Sequence, residues 1–264
     1  MTQKTPELKT TPVADIKRYR SFVLYGRSGT GKTTLASSFP GPILYLDVRD
    51  EGTDSISDVE DVFVKEIESF EDFEDVYWWL KENPKKYKTV VIDTVSQLQQ
   101  IVVEEVSAKK KKPGKRAGDW GSMTKQDWGN VAGRLKEWLV NYRDLSKLGI
   151  NVVFIAQDRT FNLDEDADDE QTLSPEVGPA LSPSVVRTLN AAVSVIGNTF
   201  IRNRQIKKEV NGKKKVVERI EYCLRIGPNP VYVTKVRKPK GTQAPDVIVD
   251  PTYEDILEVI SGDE

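Results

Sequence analysis

Short apolar runs recur along the chain at 21–25, 43–46, 62–64, 89–92 and 151–156. They are rich in β-branched and aromatic residues and too short for helices, so each reads as a strand buried on both faces. Between them the apolar positions change period. Phe70, Phe73, Tyr77 and Leu80 fall at helical spacing, and that stretch stops near Asn83-Pro84. Val95, Leu98, Val102 and Val106 repeat the pattern, as do Val131, Leu135, Trp138, Leu139, Tyr142 and Leu145 ahead of Gly149. Alternating strands and helices predict an α/β fold with a central, mostly parallel sheet flanked by helices.

The pattern changes toward the C-terminus. Residues 161–183 are acidic and rich in Pro and Gly, predicting a loop that is mobile unless a ligand orders it. A short helix near 185–189 and a strand near 191–196 follow. Residues 200–210 and 215–226 flank Asn211-Gly212, a strong hairpin signal. A further strand is predicted within 231–236, and Tyr253, Ile256, Leu257 and Ile260 predict a small helix after Pro251. At the other end, residues 1–15 carry Pro6 and Pro12 and few apolar groups. The resulting division is a flexible arm at 1–17, a core at 18–200, and a β-hairpin and C-terminal helix at 201–264 packed on that core.

The chemistry concentrates in Gly26-Arg27-Ser28-Gly29-Thr30-Gly31-Lys32-Thr33, followed by Thr34. This fits the phosphate-binding pattern G-x-x-x-x-G-K-[ST], and it stands between a predicted strand and a predicted helix. The glycines let backbone N–H groups curl around phosphates, and the helix start adds its positive end. Lys32 reaches the outer phosphates and the Thr33 hydroxyl can hold a magnesium ion. A nucleoside triphosphate, ATP, is the predicted ligand. Further on, Thr89-Val90-Val91-Ile92-Asp93 ends a buried strand in an acid, placing Asp93 beside the magnesium ion. The bland alternative is that Asp93 caps the next helix.

Composition excludes other chemistries. There is no histidine, and Cys223 is the single cysteine, so histidine catalysis, internal disulfides and multi-cysteine metal sites are ruled out. No apolar run approaches the ~18 residues that span a bilayer, and the N-terminus lacks a signal-peptide core. A net charge of −2 hides segregation: acids crowd 47–75, whereas 109–116 reads Lys-Lys-Lys-Lys-Pro-Gly-Lys-Arg. Lys109, Lys110, Lys111, Lys112, Lys115 and Arg116, like Arg202 and Arg204 in the hairpin, suit salt-sensitive contact with the phosphates of DNA or are simply solvated loops. Trp120 and Trp128 are candidates for base stacking or for packing.

Phosphate loop, Ile43-Leu44-Tyr45-Leu46-Asp47, Val90-Val91-Ile92-Asp93-Thr94 and Phe154-Ile155-Ala156-Gln157-Asp158-Arg159 together resemble RecA-like and related AAA-type P-loop ATPases. More closely, the chain resembles the compact phage-encoded RecA-like ATPases of the single-strand annealing and recombination group. The resemblance covers roughly 18–200 and implies a RecA-like P-loop NTPase core. It also implies slow ATP hydrolysis stimulated by single-stranded DNA, a ring or filament of identical subunits, and the cytoplasm of an infected bacterial host. A phage annealing or single-strand binding protein is the implied partner. Gln157 looks like the position whose amide reads the γ-phosphate. The water-orienting acid of such proteins follows the second strand, where Asp47, Asp50 and Glu51 compete; Glu51 is favoured for its reach, with Asp50 second. Arg159 is a candidate finger toward a neighbouring subunit's ATP, or a partner for Asp158 or the acids of 164–170. Two other readings stay open: a small-molecule kinase, and a non-hydrolysing switch that docks a partner protein.

Overall fold

A computed structural model describes residues 10–12, 19–49, 52–109, 123–161, 176–210, 213–239 and 243–261. The predicted N-terminal arm falls almost wholly outside them.

The first predicted runs form β1 (Ser21–Tyr25), β2 (Ile43–Asp47), β3 (Val62–Glu66), β4 (Thr89–Asp93) and β5 (Asn151–Ala156). β1, β2, β4 and β5 are buried along their whole length, which is why they read as unbroken apolar runs rather than alternating ones. β3 differs: it lies at the sheet edge with Phe63 and Val64 about half exposed. The helices are α1 (Lys32–Ser37), α2 (Phe70–Glu82), α3 (Val95–Ala108) and α4 (Lys125–Asp144), the last continued by a 3-10 turn to Leu148. Local sequence starts two of them with capping boxes. Ser69 and Asp72 reciprocate at α2, and Thr124 and Asp127 do so at α4.

Beyond β5 come β6 (Asp158–Phe161), β7 (Glu176–Pro179), α5 (Pro183–Ala192), β8 (Val195–Val210) and β9 (Lys213–Arg225). β10 (Lys235–Val236), β11 (Val247–Val249) and α6 (Tyr253–Ser261) complete the described elements. The main sheet runs β11-β9-β8-β1-β5-β4-β2-β3, with β10 also on β8. From β8 to β3 every neighbouring pair is parallel, and β8–β9, β9–β11 and β8–β10 are antiparallel. The fold is therefore the expected α/β one, with a central, mostly parallel sheet between helices. β5 inserts between β1, which feeds the phosphate loop, and β4, which ends in Asp93.

One face of the sheet is covered by α2, α3, α4 and α5, whose Phe70, Phe73, Leu98, Val102, Leu135, Leu139 and Leu189 join one core. The other is covered by α1 and α6, through Leu35, Tyr253, Ile256 and Ile260. No described helix is long and apolar enough to cross a membrane.

The structure corrects the sequence reading at four places. The strand expected at 191–196 and the first hairpin strand are one continuous β8. Part of the loop expected at 161–183 is the strand β7, paired antiparallel with β6; residues 162–175 lie outside the described set. The strand expected over 231–236 shrinks to Lys235–Val236, and β11 was not anticipated.

Candidate functional site

Parallel strands deliver their C-terminal ends to one edge of the sheet, and that edge is where this chain gathers its phosphate chemistry. β1 ends at Tyr25, and the Gly26 N–H donates to the Ala156 carbonyl at the end of β5 (3.3 Å). Gly26 has no alternative. A Cβ there would lie 2.3 Å from the Thr199 carbonyl oxygen and 2.5 Å from its hydroxyl. Gly29 and Gly31 adopt φ of 76° and 85°, the left-handed region that glycine enters without strain.

The loop is pinned from within and from β8. Thr30 Oγ1 donates to the Arg27 carbonyl (2.8 Å) and shares a hydrogen bond with Thr199 Oγ1 (2.7 Å). The Lys32 ammonium, 8% exposed, donates to the carbonyls of Gly26 (2.9 Å) and Arg27 (2.7 Å). Its charge is thereby held across the mouth of the loop, where a phosphate oxygen would compete with two neutral carbonyls and win by being charged. Arg27, Ser28, Gly29 and Thr34 are exposed around it. α1 is only six residues long, so its dipole is slight and the cradle rests on the loop N–H groups and Lys32.

Thr33 and Asp93, sixty positions apart in sequence, meet: Thr33 Oγ1 donates to Asp93 Oδ2 at 3.1 Å. The helix after Asp93 is capped by Thr94, whose hydroxyl accepts from the Gln97 N–H (3.1 Å). Asp93 is thus not that helix's cap. The same Oδ2 accepts from the Tyr45 hydroxyl, a contact that sequence reading missed. Burial pushes the Tyr45 phenol well above its ordinary range, and the nearby charge of Asp93 adds to the effect. Tyr45 is therefore a fixed donor that orients the carboxylate.

These groups fit a magnesium-bound triphosphate. Magnesium takes oxygen ligands and is held by one or two protein carboxylates together with the phosphates it accompanies. Thr33 Oγ1 and Asp93 supply that donor set, and among the described residues no cluster of three His, Cys, Asp or Glu offers an all-protein cage.

Asp47 ends β2 in register with Asp93, nearly buried. The next described residues fix the loop on either side of Asp50 and Glu51, which themselves lie outside the described residues. Arg49, at φ 56°, binds Glu104 (2.7 Å) and the Glu68 carbonyl (2.9 Å). Past the gap, a Cβ on Gly52 would lie 3.8 Å from Thr33 Oγ1 and 3.9 Å from Asp93 Oδ2. The chain therefore returns directly against the magnesium-type donors.

Gln157 follows β5 and is exposed at the same edge; its N–H donates to Ser96 Oγ (3.2 Å) and its carbonyl accepts from Ala180 (2.7 Å). Arg159, on β6, is exposed and lies over the Phe161 ring at 5.4 Å. With Trp128, Gln99, Lys136 and Ser182 it lines a shallow hollow.

Of the basic candidates, Lys109, Arg202 and Arg204 are among the described residues. Lys110, Lys111, Lys112, Lys115 and Arg116 lie outside the described residues, as does Trp120. Lys109 ends α3, a helix of 14 residues that begins two positions after Asp93, so it stands about 20 Å away. There it borders Glu71, Glu74 and Glu105. Arg202 and Arg204 flank the nearly buried Glu221, at 2.7 and 3.9 Å. Arg202 Nε donates to that carboxylate, so its charge is largely answered within the hairpin.

A family model described as an AAA domain matches residues 18–237. Among solved structures, a KaiC-like protein of the hyperthermophilic archaeon Pyrococcus horikoshii is 12% identical over 89% of this chain and 90% of that one, with a TM-score of 0.44. That likeness is too slight to carry an argument. None of the curated proteins matches the sequence.

Proposed function

The chain belongs to this AAA domain family, and from that premise we propose that it is an ATP hydrolase driven by single-stranded DNA, acting in phage recombination or single-strand annealing. The P-loop nucleotide-binding domain is the family's; the DNA and phage assignments are ours. The observation that carries the nucleotide chemistry is the Thr33–Asp93 contact at the sheet edge, next to a Lys32 held on the loop's own carbonyls.

The roles follow from that arrangement. The loop N–H groups and Lys32 bind the β- and γ-phosphates and neutralise charge that grows as the terminal phosphoryl group departs. Thr33 and Asp93 would hold magnesium, which would supply positive charge to the phosphates. Tyr45 keeps Asp93 aimed. Glu51, with Asp50 as the second candidate, orients the attacking water and takes its proton. Water oxygen bonds to the γ-phosphorus as the bond to the β,γ-bridging oxygen breaks, giving ADP and phosphate. Gln157 places an amide near the γ-phosphate, and Arg159 reaches toward a neighbouring subunit's ATP in a homo-oligomeric ring or filament.

DNA contact is supported by the acid-free run 109–116, whose lysines and arginine suit a phosphate backbone. Hydrolysis without any acceptor separates this reading from a kinase, and hydrolysis at all separates it from a passive switch. Glu51→Gln is the direct test of the catalytic assignment. Its ATP affinity stays within about threefold of wild type while turnover falls at least about tenfold. Turnover unchanged in Glu51→Gln would move the role to Asp50.

A further inference from the structure

The C-terminal hairpin reaches the phosphate loop, and nothing in the chemistry above uses the residue that touches it. Thr199 on β8 is bonded to Thr30 and packs on Gly26, so the hairpin root is fixed relative to the phosphates. Across from Thr199, β9 carries Leu224, fully buried; two residues back it carries Tyr222, directly opposite Ile201. Tyr222 lies on the same face as Thr199 and Leu224, the face turned to the loop. Its ring atoms Cδ1, Cγ and Cε1 lie 3.3, 3.9 and 4.0 Å from where a Cβ on Gly31 would stand. Gly31 is thus glycine for two reasons, its positive φ and the ring that occupies its side-chain space.

Despite that contact Tyr222 is 45% exposed, and its neighbours on the same face, Ile201 and Ile220, are 42% and 62% exposed. An open aromatic ring with apolar neighbours, one residue from Lys32, is costly to leave in water and suited to a flat apolar partner. A nucleoside triphosphate carries one such flat group, its base.

We propose that Tyr222, with Ile201 beside it, is the platform on which the nucleobase of the bound triphosphate stacks. The proposal rests on the phosphate-loop reading given above. It assigns the hairpin a role in nucleotide binding: the loop holds the phosphates, and β9 supplies affinity for the nucleoside. Stacking uses a π-face that every base has, so it contributes affinity without reading the base edge.

The test compares two ligands, ATP and inorganic tripolyphosphate, each with magnesium, by titration calorimetry on wild type, Tyr222→Ala, Tyr222→Phe and Lys32→Ala. Loss of a base–aromatic stack weakens ATP binding about tenfold to a hundredfold in Tyr222→Ala. Tripolyphosphate affinity stays within about twofold of wild type, because no base is present to lose, and Tyr222→Phe binds ATP like wild type because the ring face remains. Equal losses for both ligands in Tyr222→Ala would show that the ring only braces Gly31 and would overturn the platform. ATP affinity unchanged in Tyr222→Ala would overturn it too. If Lys32→Ala binds tripolyphosphate as well as wild type does, the phosphate-loop reading itself fails, and the platform with it.

Discussion

Asp93 shows how much a single side chain here depends on partners distant in sequence. Its Oδ2 accepts from Thr33 and from Tyr45, so a hydroxyl of the phosphate loop and a phenol of β2 together fix one carboxylate. Removing the phenol oxygen leaves the ring, and hence the packing, in place but frees Asp93 to turn. Tyr45→Phe therefore raises the magnesium concentration for half-maximal ATPase about threefold to tenfold, while ATP binding without magnesium is unchanged. A magnesium titration of turnover checks this, and an unshifted curve would show that Tyr45 has no part in aiming Asp93. Gly26, Lys32, Thr33 and Asp93 were legible in the sequence because fixed spacing and a strand-final acid carry their meaning locally. Tyr45, Thr199 and Tyr222 were not. Each meets a residue far away in sequence, and a period-two strand pattern states which face a side chain takes but not whom it meets.

Elements were legible where burial imposed a period. α2, α3 and α4 follow the apolar pattern because each has one face to bury, and the inner strands because both of theirs are buried. The expected strands at 191–196 and 200–210 leave Gly197 and Asn198 between them. In the structure both serve the sheet. A Cβ at Gly197 would sit 2.5 Å from Leu224 Cδ1 and 3.2 Å from its Cγ, so this glycine marks close strand approach, not a turn. Asn198 is nearly buried; its Nδ2 donates to the Tyr25 carbonyl (3.3 Å), and its Oδ1 accepts from Arg225 (2.6 Å). Gly197→Ala must push Leu224 aside and costs about 1–3 kcal/mol of stability. Denaturant unfolding measures that loss; a variant as stable as wild type would mean the strands part easily there. Because β8 and β9 also brace the phosphate loop through Thr199, the same variant weakens ATP binding as well.

At the scale of the whole molecule, the parallel strands bring the phosphate loop and Asp93 to one edge of the sheet. β5 stands between β1 and β4, so Thr33 and Asp93 meet although the strands that lead to them are not neighbours. Arg134 ties three helices together above the large core: it binds Glu74 of α2 (3.2 Å) and Glu105 of α3 (2.7 Å) and covers Phe70 at 4.0 Å. α3 in turn runs from the Asp93 end of β4 to Lys109, where the lysine run begins. On the proposed function, a DNA strand engaging that run would bear on the helix that starts two residues after Asp93. The most direct measurement is steady-state ATP hydrolysis by the full chain and by Lys32→Ala purified in parallel, each with and without single-stranded DNA at moderate salt. The account predicts slow turnover that Lys32→Ala abolishes and that single-stranded DNA raises severalfold. Hydrolysis that persists in Lys32→Ala, or that DNA leaves unchanged, would contradict it.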